Sequence, residues 1–153
     1  MEKIKNIFLI GIGGAGMSGI AEILLNSGYK VSGSDSSPSD VTSRLKKLGI
    51  NIFHSHNSKN LSEIDLIVYS SAISEDNPEI MHGKKIGIPV IKRAEMLANL
   101  MTMKKSIAIA GSHGKTTTTC ILAHIFTKCN LDPTYIIGGK IKSFESNASL
   151  GKG

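Results

Sequence analysis

Ile4-Lys5-Asn6-Ile7-Phe8-Leu9-Ile10, running straight into Gly11-Ile12-Gly13-Gly14-Ala15-Gly16-Met17-Ser18-Gly19, decides how the chain folds. Residues 4–10 are an apolar, β-prone run. Over residues 16–26 the apolar side chains Met17, Ile20, Ala21, Ile23, Leu24 and Leu25 recur at helical spacing until Ser27-Gly28 stops them. A glycine turn between a buried strand and a helix is a seat for an anion, because helix-start amides and the helix dipole face it. Gly11, Gly13 and Gly16 satisfy G-x-G-x-x-G in the setting that the pattern requires. The first permits the tight turn, the second lets a diphosphate approach the backbone, and the third lets the helix pack closely on the strand. Asp35 ends the next strand-like run, 19 residues beyond Gly16, where a carboxylate accepts hydrogen bonds from a ribose. NAD, FAD and a UDP-sugar all carry a ribose and a pyrophosphate. The loop alone therefore fits a nicotinamide-binding regulatory or redox module as well as an enzyme acting on a nucleotide-sugar.

Outward from this unit, strands at residues 31–34, 50–53, 66–69 and 89–91 alternate with helices at 40–48, from Asn77-Pro78 onward, and at 94–101. Such alternation predicts a parallel sheet covered by helices. About five strands before residue 103 make one complete, doubly wound, Rossmann-like α/β domain over residues 1–103. A second unit opens at Lys104-Lys105, with a buried strand at 106–110, a helix at 115–128 and a strand at 134–137, and loosens at Gly138-Gly139. A strand, a helix and a strand cannot cover their own apolar surface, so residues 104–153 are expected to begin a larger domain.

Gly111-Ser112-His113-Gly114-Lys115-Thr116-Thr117-Thr118-Thr119 forms a second glycine loop between a strand and a helix. G-K-T at that junction is a phosphate loop, in which amides cradle phosphates, Lys115 reaches the outer ones and a Thr hydroxyl holds magnesium. It departs from the commonest form, since Ile109 stands where the first glycine would be. A dehydrogenase needs only the first loop and a simple NTPase only the second. Both together suggest an enzyme that holds one nucleotide-linked substrate and spends a second nucleotide.

Composition narrows the partners. The 153 residues carry 41% hydrophobic and 20% charged side chains, 16 Gly and 4 Pro, the balance of a globular chain. The net charge is +6, and its excess sits late: 11 Lys and Arg face 10 Asp and Glu up to residue 103, against 7 and 2 afterwards. With aromatics at 5%, no Trp and scattered lysines, a small polyphosphate suits this charge better than nucleic acid. No apolar run approaches the ~18 residues of a membrane span, and the opening residues lack a signal-peptide core, so a cytoplasmic protein with no membrane partner is expected. Cys120 and Cys129 read as reduced packing residues. His54 and His56 read as a solvated loop with ligand contact as the alternative, while Glu75, Asp76 and Glu79 read as a solvated helix start. His113 lies inside the phosphate loop, His82 and His124 on helices, and Met96, Met101 and Met103 around a helix end.

Six segments together resemble the N-terminal part of a Mur ligase. They are G-I-G-G-A-G-M-S-G at 11–19, G-S-D at 33–35, S-S-A-I at 70–73, D-N-P-E at 76–79, R-A-E-M-L at 93–97 and G-S-H-G-K-T-T-T-T at 111–119. The resemblance covers essentially the whole chain and lies in the branch that joins L-alanine to UDP-N-acetylmuramate. It implies a first domain for the UDP substrate and the incomplete start of a P-loop, ATP-binding central domain. Gly11, Gly13, Gly14, Ala15, Gly16, Met17 and Ser18 would meet the diphosphate, with Asp35, His56, Ser70 and Ser71 along the uridine and Arg93 near the substrate. Gly111, Ser112, His113, Gly114, Lys115, Thr116 and Thr117 would hold ATP, Lys115 on the outer phosphates and Thr116 on Mg2+. In similar enzymes the γ-phosphoryl of ATP passes to the muramoyl carboxylate and L-alanine then displaces phosphate, in cytoplasmic peptidoglycan precursor synthesis. Family members continue from N-A-x-x-G-x-G, matched at 147–153, into an acidic magnesium-binding segment and a C-terminal domain. The chain is thus expected to be a truncated form, its missing half supplied by further sequence, a partner chain or self-association.

Overall fold

The computed structural model describes residues 4–138 and 148–153; Gly139 of the closing loop and Asn147 of the N-A-x-x-G-x-G match lie outside them. Five strands, β1 (Asn6–Ile10), β2 (Lys30–Ser34), β3 (Asn51–Phe53), β4 (Leu66–Tyr69) and β5 (Val90–Lys92), form one sheet in the order β3-β2-β1-β4-β5. Every pairing in it is parallel; Ile7, for example, lies beside Val31 on one side and Leu66 on the other. This is the Rossmann-like α/β sheet that the alternating pattern predicts. Parallel strands must be covered on both faces, which is why β1 and β4 read as unbroken apolar runs.

Helices α1 (Ala15–Asn26), α2 (Asp40–Lys47) and α4 (Arg93–Thr102) cover one face, where Ile7, Leu9, Ile20, Leu24, Leu45, Val68 and Met96 are buried together. Helix α3 (Pro78–Lys85) covers the other, with Phe8, Ile10, Leu61, Ile67, Tyr69 and Ile80. Caps set the helix starts. Ser39 and Thr42 form a reciprocal capping box for α2, and Asn77 accepts from the Glu79 and Ile80 amides with Pro78 in the first helical position. The entry to β1 is fixed by Asp65, whose Oδ2 accepts from the Lys5 and Asn6 N–H groups, both at 2.8 Å. Those amide bonds, first Asn6 and then Lys5, hold its carboxyl below the usual carboxylate range.

All five strands end on one edge, so Gly11, Asp35, His54, Ser70 and Arg93 follow in or close behind them there. Open α/β sheets bind ligands outside that edge.

Beyond residue 103 the expectations fare differently. Helix α5 (Lys115–Lys128) forms over the predicted residues. Residues 106–110 adopt no strand and lie mostly exposed, with Ile107 63% open to solvent. A strand exists only through a backbone neighbour, and among the described residues none pairs with this run. The expected strand at 134–137 shortens to β6 (Tyr135–Ile136), which pairs antiparallel with β7 (Ala148–Ser149) and packs on α1. Ile121, Ile125 and Leu131 remain about half exposed along and just after α5, an apolar surface uncovered by any described residue. Cys120 is partly buried and Cys129 exposed, so only the first acts as a packing residue. Met96 is buried and Met103 exposed. No helix among the described residues is long and apolar enough to cross a membrane.

Candidate nucleotide site

The loop between β1 and α1 is held by Ser34: its carbonyl accepts the Gly11 N–H at 2.8 Å and the Ile12 N–H at 3.1 Å. Gly11 takes a left-handed φ of 76°, the sharp turn expected of the first glycine. Gly14 is the N-cap of α1 and, among the described residues, no side chain caps the helix, which puts the amides of its first turn at the positive end of the dipole. A cavity of about 310 Å³ opens against them, lined by Gly14, Ala15, Gly16, Met17, Ser70, Ser71, Arg93 and Gly138. Seven of these eight are residues the sequence singled out; Gly138 was not among them.

Gly16 has a different role from the one expected. A Cβ there would come within 2.9 Å of Arg93 Nη1, so the glycine leaves room for a guanidinium rather than for a strand. A cation, two serines and a helix N-terminus, brought together here around one cavity, are groups of the kind that bind phosphate.

Gly11, Gly13, Ser18, Asp35 and His56 do not line the cavity. Asp35 acts on the loop itself: Oδ2 accepts from the Gly13 N–H at 2.8 Å and Oδ1 from the Ser37 N–H at 3.0 Å. Each oxygen keeps a second lone pair for a ribose hydroxyl. Ser18 is fully buried and donates to the Ala15 carbonyl at 3.1 Å, which makes it part of the helix start. His54 is exposed, with Lys46 Nζ 2.8 Å from its Nε2.

His56 and Glu79 overturn the solvated readings. Glu79 is completely buried, and Ser34 Oγ donates to its Oε2 at 2.6 Å while His56 Nδ1 lies 3.0 Å from the same oxygen. Its Oε1 accepts from Asn60 Nδ2 at 2.7 Å and from the Asn57 N–H at 3.3 Å. A helix start is solvated only where nothing packs on it, and here the loop after β3 closes over it. Glu75 is exposed, facing Lys84 and Lys92 at 3.7 and 3.8 Å. It receives a hydrogen bond from Tyr69, whose phenol burial pushes up in pKa, with the Glu75 charge adding to the effect.

The second loop also keeps its backbone shape. Gly114 caps α5 with a left-handed φ of 78°, and among the described residues no side chain caps the helix. Lys115 Nζ folds back to donate to the carbonyls of Gly111 and Ser112. Ser112, His113, Thr116 and Thr117 are exposed around it. Among the described residues no group of three or more His, Cys, Asp or Glu could hold a metal ion.

The family model for the Mur ligase family, catalytic domain, matches residues 6–105, well over half the chain. This chain belongs to the Mur ligase family. The UDP-N-acetylmuramate--L-alanine ligase of Pelobacter propionicus is 56% identical over 151 residues, which cover 99% of this chain and 33% of that protein. The same-named ligase of Geobacter sulfurreducens is also 56% identical over 151 residues, with the same coverage. This Mur ligase chain thus spans about a third of the length of the curated relatives it matches. Among solved structures, the UDP-N-acetylmuramate-alanine ligase of Thermotoga maritima superposes with a TM-score of 0.91 at 35% identity, over 99% of this chain and 36% of that one.

Proposed function

We propose that this Mur ligase chain is the nucleotide-substrate end of an ATP-dependent ligase that joins L-alanine to UDP-N-acetylmuramate in peptidoglycan precursor synthesis. The observation that carries it is the cavity in which the first turn of α1, Ser70, Ser71 and Arg93 converge. It occurs in a chain 56% identical to proteins of that name. The diphosphate rests at the N-terminal turn of α1, with Arg93 neutralising its charge and the serine hydroxyls orienting it. Asp35 keeps the loop in shape and offers its remaining lone pairs to the ribose, and His56 faces the nucleoside.

The second domain, residues 104–153, begins the ATP-binding part. Its loop fits a polyphosphate: no described residue other than its chain neighbours lies within 4 Å of where a Gly114 Cβ would be, and among the described residues the Lys115 ammonium is held by two carbonyls that phosphate oxygens can replace. Residues 111–117 would hold ATP, with Lys115 on its outer phosphates and Thr116 on Mg2+. Bound there, MgATP supplies the phosphoryl group that activates the muramoyl carboxylate towards the amine of L-alanine. The contribution of these residues is positioning and charge neutralisation.

Thermal-shift titration tests the reading. UDP-N-acetylmuramate is expected to raise the melting temperature of the wild-type chain and leave Gly13→Val unmoved. No shift at millimolar ligand, or a saturable shift with NADH in its place, would reject it.

A further inference from the structure

The D-N-P-E segment lines no part of the cavity, yet its glutamate is buried and fully hydrogen-bonded close to the strand ends. Glu79 receives four donors and is sealed from solvent. Two of its partners bear on the nucleotide site. Ser34 donates its hydroxyl to Glu79 while its carbonyl holds the Gly11 and Ile12 amides. His56, three residues past β3, keeps about a fifth of its side chain open to solvent.

The geometry fixes the histidine. Nδ1 lies 3.0 Å from Glu79 Oε2 and 3.0 Å from Ser34 Oγ, and the serine proton is already given to the carboxylate. Both neighbours of Nδ1 therefore present lone pairs, and Nδ1 must carry a hydrogen. In the neutral ring that leaves Nε2 as an acceptor. We propose that Glu79 is a positioning residue that locks His56 in the Nδ1–H tautomer, so that Nε2 accepts a hydrogen bond from an N–H or O–H group of the nucleoside half of the substrate. The inference rests on the UDP-substrate reading above, but the tautomer itself does not.

Two measurements separate the two. Long-range 1H–15N NMR of the imidazole, without ligand, is expected to report the Nδ1–H tautomer in the wild-type chain and a mixture in Glu79→Gln. The Nε2–H tautomer in the wild type overturns the proposal whatever the chain binds. Should Glu79→Gln fail to fold, His56→Asn serves, because its amide N–H replaces the Nδ1 donor while nothing replaces Nε2. His56→Asn is expected to melt like the wild type and to bind UDP about fivefold to tenfold more weakly by calorimetry, the worth of one hydrogen bond. Unchanged UDP affinity in folded His56→Asn overturns the proposal; a merely structural histidine predicts that result. CDP identifies the donor: it loses as much as UDP if a ribose hydroxyl donates, and nothing if the uracil imide does. A wild-type chain that binds no UDP at all, yet shows the Nδ1–H tautomer, refutes the substrate reading and the ligand half of this proposal while leaving the role of Glu79 towards His56 standing.

Discussion

Replacing Gly13 by Ala puts a methyl group where Asp35 already sits. The added Cβ would lie 2.8 Å from Asp35 Oδ2, 3.2 Å from its Cγ and 3.0 Å from Thr42 Cγ2. Favourable contacts of this kind lie near about 3.5 Å, so the carboxylate must retreat by about 0.7 Å. That same oxygen accepts the Gly13 N–H. Crowding costs about 1 kcal/mol, and weakening a charge-assisted hydrogen bond to a half-buried carboxylate costs about 1–2 kcal/mol. A loss of about 2–3 kcal/mol should lower the urea midpoint by about 1–2 M. The control is Asp35→Ala, which removes the carboxylate from the path of the methyl and leaves only the tight 3.0 Å contact with Thr42 Cγ2. There Gly13→Ala should cost at least about 1 kcal/mol less, the coupling expected of two residues in contact. Equal costs in both backgrounds, or no loss in the wild-type background, would refute the idea that Asp35 braces the loop.

Gly16→Ala should behave differently, because the atom in its way is the tip of a flexible arginine. Denaturation should change by no more than about 0.5 kcal/mol, while calorimetry should show UDP affinity falling about tenfold as Arg93 is displaced; retained affinity would remove Arg93 from the site. Lys115→Met should leave the melting temperature of the free chain unchanged, the side chain being exposed, and abolish any protection by MgATP against proteolysis. Protection that survives would contradict its assigned role. For Asp65 the sign follows from its lowered pKa: the stabilisation is present above the unfolded carboxylate value and lost as pH falls through the folded one. Acid denaturation should thus show Asp65→Asn less stable than the wild type at neutral pH, with the gap closing only in the acid range; a constant gap would disprove the linkage.

The sheet was legible because parallel strands are buried on both faces and leave long apolar runs, as at Ile7-Phe8-Leu9-Ile10 and Leu66-Ile67-Val68-Tyr69. Helix α5 was legible from local signals alone, starting after Gly114 and ending at Lys128 as expected. Residues 106–110 carry an equally apolar pattern and form no strand, since pairing depends on a neighbour that a local pattern does not contain. The site divides in the same way. Gly14, Ala15, Gly16 and Met17 of the cavity follow a recognisable turn, and Ser70, Ser71 and Arg93 entered through the family resemblance, whereas Ser34, His56 and Glu79 meet across separations of 22 to 45 residues, which no spacing rule links. Charged residues after Asn77-Pro78 resemble any exposed helix start; only the loop of Asn57 and Asn60 folding over Glu79 makes it buried.

The central claim is that the glycine loop after β1 grips the diphosphate of a UDP-linked substrate. An 1H–15N correlation spectrum of the chain titrated with UDP-N-acetylmuramate tests it most directly. Saturable shifts concentrated at the amides of residues 13–17, with Ser70, Ser71 and the Arg93 side chain moving alongside, are the predicted result. Shifts confined to residues 111–117, or none at millimolar ligand, would contradict it.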